Sequence, residues 1–233
     1  MSVRDELLLG ARAAIGPAAA TFALGVTFGA EAVAAGWGHA APVVFSAIGI
    51  SGSAQFSLLT TLSTGTALVA ILSAVLINAR YLVMGVALND SLRGGRLWRA
   101  VQAQPLVDAS FVVAHRGGGR FDVVRLLGAT IPQWSCWVLG TLLGVLLQPE
   151  PELMEQLGVD VVFPAFFLLL VLEELHSLRA LGAAALGALV AGGLLLVTEP
   201  GYALLAATAG AVVGVLPERE PAEREPVDRE ETR

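Results

Sequence analysis

A single arginine inside an apolar run is the residue of this sequence with the clearest capacity for chemistry. Arg80 lies near the centre of the apolar stretch 67–88, two positions after Asn78. An arginine at the middle of a membrane span costs about 2.5–3.5 kcal/mol on insertion scales, because its guanidinium leaves water. We expect Arg80 to face a cavity and bind a carboxylate of a substrate or a partner side chain. If the span ends earlier, Arg80 would instead be an anchor at the cytoplasmic interface.

Asp108 and Gln55 are the other polar side chains with a candidate role. Asp108 falls within residues 105–114, an apolar stretch too short to span a membrane. It could pair with Arg80, bind an ammonium group or carry a proton, or it could cap a helix in a cytoplasmic loop. Gln55 can donate and accept hydrogen bonds, so it either lines a site or holds helices together. We predict substrate binding by Gln55, Asn78, Arg80 and Asp108.

No enzymatic motif accompanies these residues. The sequence contains no phosphate-binding loop, HExxH or G-x-S-x-G pattern, so we expect a protein that is not an enzyme. Its three histidines are far apart and show no zinc-like spacing, so no metal and no cofactor is expected. Cys136 is the single cysteine, which excludes an internal disulfide. No basic patch is interleaved with aromatic residues, so nucleic acid is not an expected partner.

The composition predicts the elements that position these residues. The chain of 233 residues is 55% hydrophobic and 15% charged, whereas soluble domains are about 25% charged. A bilayer core needs about 20 apolar residues per helix. The fold class is therefore predicted to be all-α, a polytopic membrane helix bundle with six to seven transmembrane segments. The apolar segments cover residues 13–35, 41–62, 67–88, 123–147, 159–175, 180–197 and 201–216.

The second apolar segment is expected to be broken or re-entrant. Its middle, residues 51–57, is rich in serine and also holds Gly52 and Gln55. Irregular backbone survives at membrane depth only where protein or a water-filled cavity covers it. We therefore predict a broken helix over Gly52–Gln55, with Gly52 and Ser53 as the unwinding residues. If the segment crosses fully, the N-terminus lies outside; if it is a re-entrant hairpin, the N-terminus lies inside.

Charge predicts the orientation of the remaining chain. The stretch 91–125 holds six arginines, and cytoplasmic loops carry such an excess of basic residues. The loop 148–160 contains four acids and no base, so it is predicted to be external. We therefore expect a multi-pass protein of the cytoplasmic membrane. The alternation of charge predicts that its C-terminus lies in the cytoplasm. We divide the chain into a transmembrane domain, residues 1–216, and a disordered cytoplasmic tail, residues 217–233.

Pairs of glycines spaced four residues apart predict where helices pack closely, because small residues let two backbones approach each other. Three such pairs occur: Gly25 and Gly29, Gly140 and Gly144, and Gly210 and Gly214.

Several motifs, taken in order, resemble the AzlC family, the large subunits of branched-chain amino acid exporters. Each motif is weak alone, but five in order at plausible spacing are specific. The resemblance as a whole runs from about residue 10 to 216. The motifs are Phe22–Gly29, the Gly/Ala-rich Ser51–Phe56 ending in Gln-Phe, Ile77–Leu82 with Gly85 following, the W-x-x-G-T-x-x-G run Trp137–Gly144, and Gly158-Val159-Asp160 followed by Phe163–Phe166.

Two positions depart from the family pattern. Tyr81 stands where the family usually has histidine, which weakens a proton-relay role there. Ala109 replaces the glutamate of the usual Thr-Asp-Glu, while Asp108 is retained. The retained Asp108 is therefore the stronger candidate for a functional acid.

The resemblance implies a secondary transporter that exports amino acids such as leucine, isoleucine and valine. It also implies a small membrane subunit of the AzlD type as a partner. The other expected partners are the lipid bilayer and the amino-acid substrate. An amino acid zwitterion requires a cation, an acid and orienting amides, which the four candidate residues supply. The competing interpretation is a non-transporting membrane scaffold or assembly subunit, in which buried polar pairs only hold helices together.

Overall fold

The computed structural model describes residues 2–117, 119–156, 178–198 and 200–207, with positions 161, 165, 168, 171, 172 and 175. Across these residues the backbone forms helices and turns and no strand, which confirms the all-α prediction. Four helices are long and apolar enough to cross a membrane: 15–34, 67–91, 123–147 and 178–195. The count of six to seven segments stays a prediction. The tail, the Gly210/Gly214 pair and most of the segment 159–175 lie outside the described residues.

The helices follow one another with short connections. In chain order they are α1 (Val3–Ala13), α2 (Ile15–Ala34), α3 (Ala40–Ile48), α4 (Gly52–Thr64), α5 (Ala67–Asn78), α6 (Arg80–Leu88), a 3₁₀ turn (Asn89–Ser91), α7 (Arg96–Ala103), α8 (Asp108–Ala114), α9 (Val123–Leu147), α10 (Pro151–Gln156), α11 (Leu178–Leu195) and α12 (Pro200–Ala207).

The centre of the bundle is a glycine contact between α2 and α9. A Cβ atom added at Gly25 or Gly29 would overlap backbone atoms of α9 at Trp137 and Thr141, and one added at Gly144 would overlap the Val26 carbonyl. Both predicted glycine pairs within the described residues therefore pack backbone against backbone. Residue numbers rise together along the two helices, so α2 and α9 are parallel.

The N-terminal helix α1 extends this parallel contact toward the start of α9. Gly10 lies against the backbone of Arg125. Glu6, which is 7% exposed, forms ion pairs with Arg116 and Arg125. We call this side of the bundle the basic end, and the side where α9 finishes the Gln148 end. Since α1 and the arginine-rich stretch meet at the basic end, the N-terminus lies on the same side as residues 91–125.

Helix α3 runs antiparallel to α9, from the Gln148 end to the middle of the bundle. His39, which precedes α3, lies 3.1 Å from the Gln148 side chain. Near the far end of α3, Ser46 bonds Thr141 at 2.9 Å and the Ala47 carbonyl accepts from Trp134. The nine residues of α3 span only about 14 Å, about half of a bilayer core.

After the break, α4 returns toward the Gln148 end. It forms an antiparallel pair with α5, joined by the tight turn at Gly65 and Thr66. The span 67–91 finishes at the basic end, where Leu88 packs against Leu126. The start of α5, and with it the end of α4, must therefore lie at the Gln148 end. Helices α3 and α4 form a re-entrant hairpin, the second of the two alternatives left open by the sequence.

The break itself lies one turn earlier than the sequence predicted. Gly52 and Ser53, predicted to be unwound, are the first two residues of α4, and the extended residues are 49–51. The reason is capping: Ser51 is the N-cap of α4, and its hydroxyl accepts from the Ala54 amide at 3.5 Å. The predicted range over Gly52–Gln55 is thus corrected to residues 49–51.

The long span 67–91 is interrupted at Ala79, between α5 and α6. The Ala79 amide donates to the Leu76 carbonyl three residues earlier, and the Leu82 amide donates to Ala79. Such a tightened turn inside a helix marks a local change of helix geometry. Arg80 follows it directly and lies near the middle of the span 67–91, so the span does not end before Arg80.

The re-entrant hairpin predicts a specific labelling pattern. In a Cys136→Ser background, we expect Arg4→Cys and Arg96→Cys to react with an impermeant thiol reagent from the cytoplasm only. Ser63→Cys and Glu152→Cys should react from outside only, because both lie at the Gln148 end. Labelling of Arg4→Cys from outside only, with Ser63→Cys still labelled from outside, would mean that the second segment crosses fully.

The Glu6 cluster predicts a stability that depends on pH. The hydrogen bond from Arg116 lowers the pKa of Glu6 more than burial raises it, and Arg125 lowers the pKa further. A carboxyl with a lowered folded-state pKa stabilises the fold above its ordinary value of about 4.3, and this contribution is lost as pH falls through the lowered pKa. Glu6→Gln should therefore melt at lower temperature than the parent at pH 7, and the gap should close below about pH 4.

Melting in detergent between pH 3.5 and 8 tests this dependence. The control is Glu152→Gln, which removes an exposed carboxyl of α10. A gap for Glu6→Gln that stays constant across this pH range would contradict the proposed stabilisation.

Candidate functional site

The charged pair at the middle of the bundle joins three helices. An Arg80 Nη2 atom lies 3.0 Å from Asp108 Oδ2. The same nitrogen donates to Ser53 Oγ at 2.8 Å. Tyr81 completes the group, because its hydroxyl lies 3.4 Å from the Arg80 nitrogen and 3.5 Å from the Asp108 oxygen. The ion pair that the sequence suggested is present in the structure.

Each side chain of this pair occupies a helix start. Arg80 is the first residue of α6, Asp108 the first of α8, and Ser53 belongs to the first turn of α4. The side chains of Arg80 and Asp108 remain 29% and 20% exposed, so the pair is accessible. Arg80 Nε is buried and has no hydrogen-bond partner among the described residues, which leaves one donor free for another acceptor.

An open cavity of about 360 Å³ adjoins the pair through Tyr81. Residues 48–51 at the break form one wall, and Asn78 with Gly85 form another. Ala103, Gln104 and Leu106 also line it. Asn78 Oδ1 accepts a hydrogen bond from Ser51 Oγ at 2.6 Å, so α5 is joined directly to the break. The volume is typical of small-molecule sites.

A larger groove of about 520 Å³ occurs between the end of α11 and α12. It is wide open, and Thr198 and Tyr202 are the polar residues that line it among those described. Because it lacks charge and enclosure, it is a weaker candidate than the smaller cavity beside Arg80.

Gln55 lies apart from the cavity and stabilises the break. It is 1% exposed, and its side-chain nitrogen donates to the carbonyls of Phe45 and Gly49, each at 3.0 Å. Its oxygen accepts from Trp137 Nε1 at 2.9 Å. Those carbonyls belong to the end of α3, where a helix leaves its last carbonyls without intrahelical partners. Gln55 thus satisfies backbone groups at the break, and its hydrogen-bonding groups are occupied by the protein.

An aromatic cluster closes the space between the site and the Gln148 end. Phe28 stacks on Trp137 at 5.7 Å between ring centroids and meets Phe56 edge-on at 5.5 Å. Gly52 lies directly on the Trp137 indole, where an added Cβ would approach ring carbons to 2.9 Å. Trp137 is 5% exposed, so it belongs to the core and not to an aromatic belt at the membrane surface.

The broken hairpin brings two helix ends of opposite polarity to the same depth. The N-terminus of α4 carries free amide groups and partial positive charge, and it faces the Arg80 side chain through Ser53. The C-terminus of α3 carries partial negative charge and lines the cavity. A bound molecule with one positive and one negative group would meet a complementary partner for each.

The structure therefore brings together three of the four predicted binding residues. Asn78, Arg80 and Asp108 lie within one connected group, whereas Gln55 is sequestered behind the break. Sequence reasoning did not assign a role to Ser51 or Tyr81. The signal for Tyr81 was its replacement of the family's histidine beside Arg80. Across the described part of the chain, no three His, Cys, Asp or Glu side chains cluster as a metal site would require.

Comparison with known proteins identifies relatives of this chain. The family model described as AzlC protein matches residues 17–149. The inner membrane protein YgaZ of Escherichia coli (strain K12) is 30% identical over 203 residues, which cover 81% of this chain and 80% of the relative. An uncharacterized membrane protein of Helicobacter pylori (strain ATCC 700392 / 26695) is 24% identical over 155 residues, 65% of this chain and 68% of the relative. No solved structure matches the chain.

The ion pair predicts a non-additive loss of stability. Removing one partner leaves the other charge unpaired, whereas removing both does not. Arg80→Gln alone should destabilise the protein by about 3 kcal/mol, the low end of the range for broken buried pairs because both side chains keep some exposure. Arg80→Gln with Asp108→Asn should destabilise it less. Unfolding of the parent, Arg80→Gln, Asp108→Asn and the double variant in detergent measures this coupling, and strictly additive losses would show that the pair contributes nothing.

Proposed function

Since the chain belongs to the AzlC family of membrane proteins, we propose that it is a secondary transporter that exports branched-chain or related hydrophobic amino acids across the cytoplasmic membrane. The observation that carries this proposal is the Arg80–Asp108 pair, which lies beside a cavity at a broken helix. Unwound backbone and half-helix ends at the middle of the membrane are a common way for transporters to bind their substrates.

The pair is suited to exchange partners with an amino acid zwitterion. The substrate carboxylate would bind Arg80, assisted by Ser53 and the positive end of α4. Its ammonium group would bind Asp108 and carbonyls at the end of α3. In the empty protein the two side chains neutralise each other at 3.0 Å. Substrate would thus replace one charge pair by two, without leaving a charge unpaired at any stage.

The walls of the cavity favour an apolar side chain. Ile48, Ile50 and Leu106 line it together with the polar group around Asn78. A branched alkyl side chain would be buried against these residues, while the polar groups orient its α-carbon. This combination supports leucine, isoleucine and valine over polar amino acids.

The place of the cavity in the bundle supports export. Gly85 of α6 and Gln104 after α7 line it, and both belong to segments that lead to the basic end, which the positive-inside rule puts in the cytoplasm. The aromatic cluster of Phe28, Phe56 and Trp137 packs on the side of the Gln148 end. A cavity on the side of the basic end would receive substrate from the cytoplasm.

We also propose a small membrane subunit of the AzlD type as the working partner. Helix α11, although long and apolar enough to span, has no residue buried by the described part of the chain. An unburied span is available for lipid or for a second membrane protein.

Export by reconstituted protein tests the proposal. The chain is purified alone and, in a second preparation, with a co-expressed small subunit of the AzlD type, and each preparation is incorporated into liposomes loaded with radiolabelled leucine. We expect exchange against external leucine, isoleucine or valine to be at least tenfold faster than against glutamate. Arg80→Gln and Asp108→Asn should abolish exchange while protein incorporation is unchanged. The matched controls Arg12→Gln and Asp90→Asn, at exposed sites, should retain it.

The same assay separates transport from a scaffold role. A scaffold would lose assembly or folding on replacement of Arg80 and would never exchange an amino acid. Well-folded parent protein that exchanges none of these amino acids would reject the exporter, and normal exchange by Arg80→Gln would reject the proposed site.

A further inference from the structure

Helix α7 is amphipathic and presents its apolar side chains to the surroundings. Leu97, Trp98 and Val101, at positions that share one helix face, are 83%, 60% and 53% exposed. A tryptophan and a leucine of this exposure are costly in water and favourable in the boundary between lipid headgroups and acyl chains. None of the three packs into the two core clusters of the described residues.

The polar side of the same helix and the segment just before it are basic. Arg93 and Arg96 have no acidic partner within the described residues, and Arg99 is held by the backbone and side chain of Asn89. Between residues 81 and 107 the sequence contains one acid, Asp90. This segment therefore carries an unbalanced positive charge.

Helix α7 lies next to the end of a membrane span, and this position puts it near the membrane surface. It begins five residues after Ser91, where the span 67–91 ends. Gly94, with φ of +91°, turns the connecting segment, and Gln102 exchanges two hydrogen bonds with the Arg93 backbone. The helix is thus fastened beside the end of a membrane span, at the level of the lipid headgroups.

We propose that α7 is a binding site for anionic phospholipid of the leaflet at the basic end. Leu97, Trp98 and Val101 enter the acyl boundary, and the guanidinium groups of Arg93 and Arg96 bind headgroup phosphates. Exposed apolar side chains on a short helix, with unpaired arginines at its start and just before it, are the combination that an anionic lipid surface complements.

This site has a direct connection to the cavity. The last residue of α7, Ala103, and the next residue, Gln104, line the cavity. A lipid that holds α7 in the headgroup plane therefore also holds these two lining residues in position. The binding site itself stands on the described contacts and does not depend on which solute, if any, the protein transports.

Lipid binding by the purified full-length chain tests the proposal. The protein is incorporated into nanodiscs of phosphatidylcholine with increasing fractions of phosphatidylglycerol, and its melting temperature is followed. We expect phosphatidylglycerol to raise the melting temperature. Its apparent affinity should fall about fivefold for each arginine removed in Arg93→Gln and the double variant Arg93→Gln/Arg96→Gln. The charge-matched control Arg4→Gln/Arg12→Gln, on α1, should keep the affinity of the parent.

Fluorescence tests the apolar half of the same proposal. Brominated phosphatidylcholine should quench a component of tryptophan emission that is absent from Trp98→Phe. Equal phosphatidylglycerol affinity in the parent and in Arg93→Gln/Arg96→Gln would overturn the headgroup contact. Quenching that is identical in the parent and in Trp98→Phe would overturn the insertion of α7. Neither measurement involves transport, so a failed exporter assay leaves both outcomes interpretable.

Discussion

The backbone contact between α2 and α9 is the constraint on which the remaining helices depend. Gly29 and Gly144 each lack the Cβ that would separate the two helices, so their main chains touch along a parallel seam. The other elements attach to this seam: α1 at its beginning through Glu6, and α3 near its end through Ser46. Because the two helices are parallel, the chain between them must cross the membrane an odd number of times. The re-entrant α3–α4 hairpin satisfies that requirement.

The buried side-chain amide of Gln55 connects the α2–α9 contact to the Arg80–Asp108 pair. Gln55 accepts from Trp137 on α9 and donates to the two carbonyls at the end of α3, so it fixes the depth at which the hairpin breaks. That depth sets the height of the α4 N-terminus, and Ser53 then meets Arg80. A polar residue deep in an apolar bundle can therefore serve a site that it does not touch, because it fixes the backbone that carries the site.

The sequence predicted the parts that follow from charge and composition. A cation inside an apolar run needs a partner, and Asp108 was the nearby acid of the retained pattern, so the Arg80–Asp108 pair could be inferred. The exact break could not, because Ser51 as a cap and Gly52 as an unwound residue are both reasonable until the Trp137 indole occupies the space over Gly52. The role of Gln55 also depended on this tertiary contact. The orientation of the N-terminus required the parallel seam, which no local pattern reveals.

The two interruptions of regular helix that bound the α4–α5 pair have a mechanical consequence. Residues 49–51 precede the pair and Ala79 follows it, and both lie at the depth of the charged site. The thirteen residues of α4 form an arm about 20 Å long that reaches from this depth to the Gln148 end. A tilt of roughly 10° about the two interruptions would move the far tip by about 3–4 Å and the charged groups hardly at all. A hairpin that tilted about these two interruptions would therefore turn a small rearrangement of the charged groups into a larger displacement at the Gln148 end.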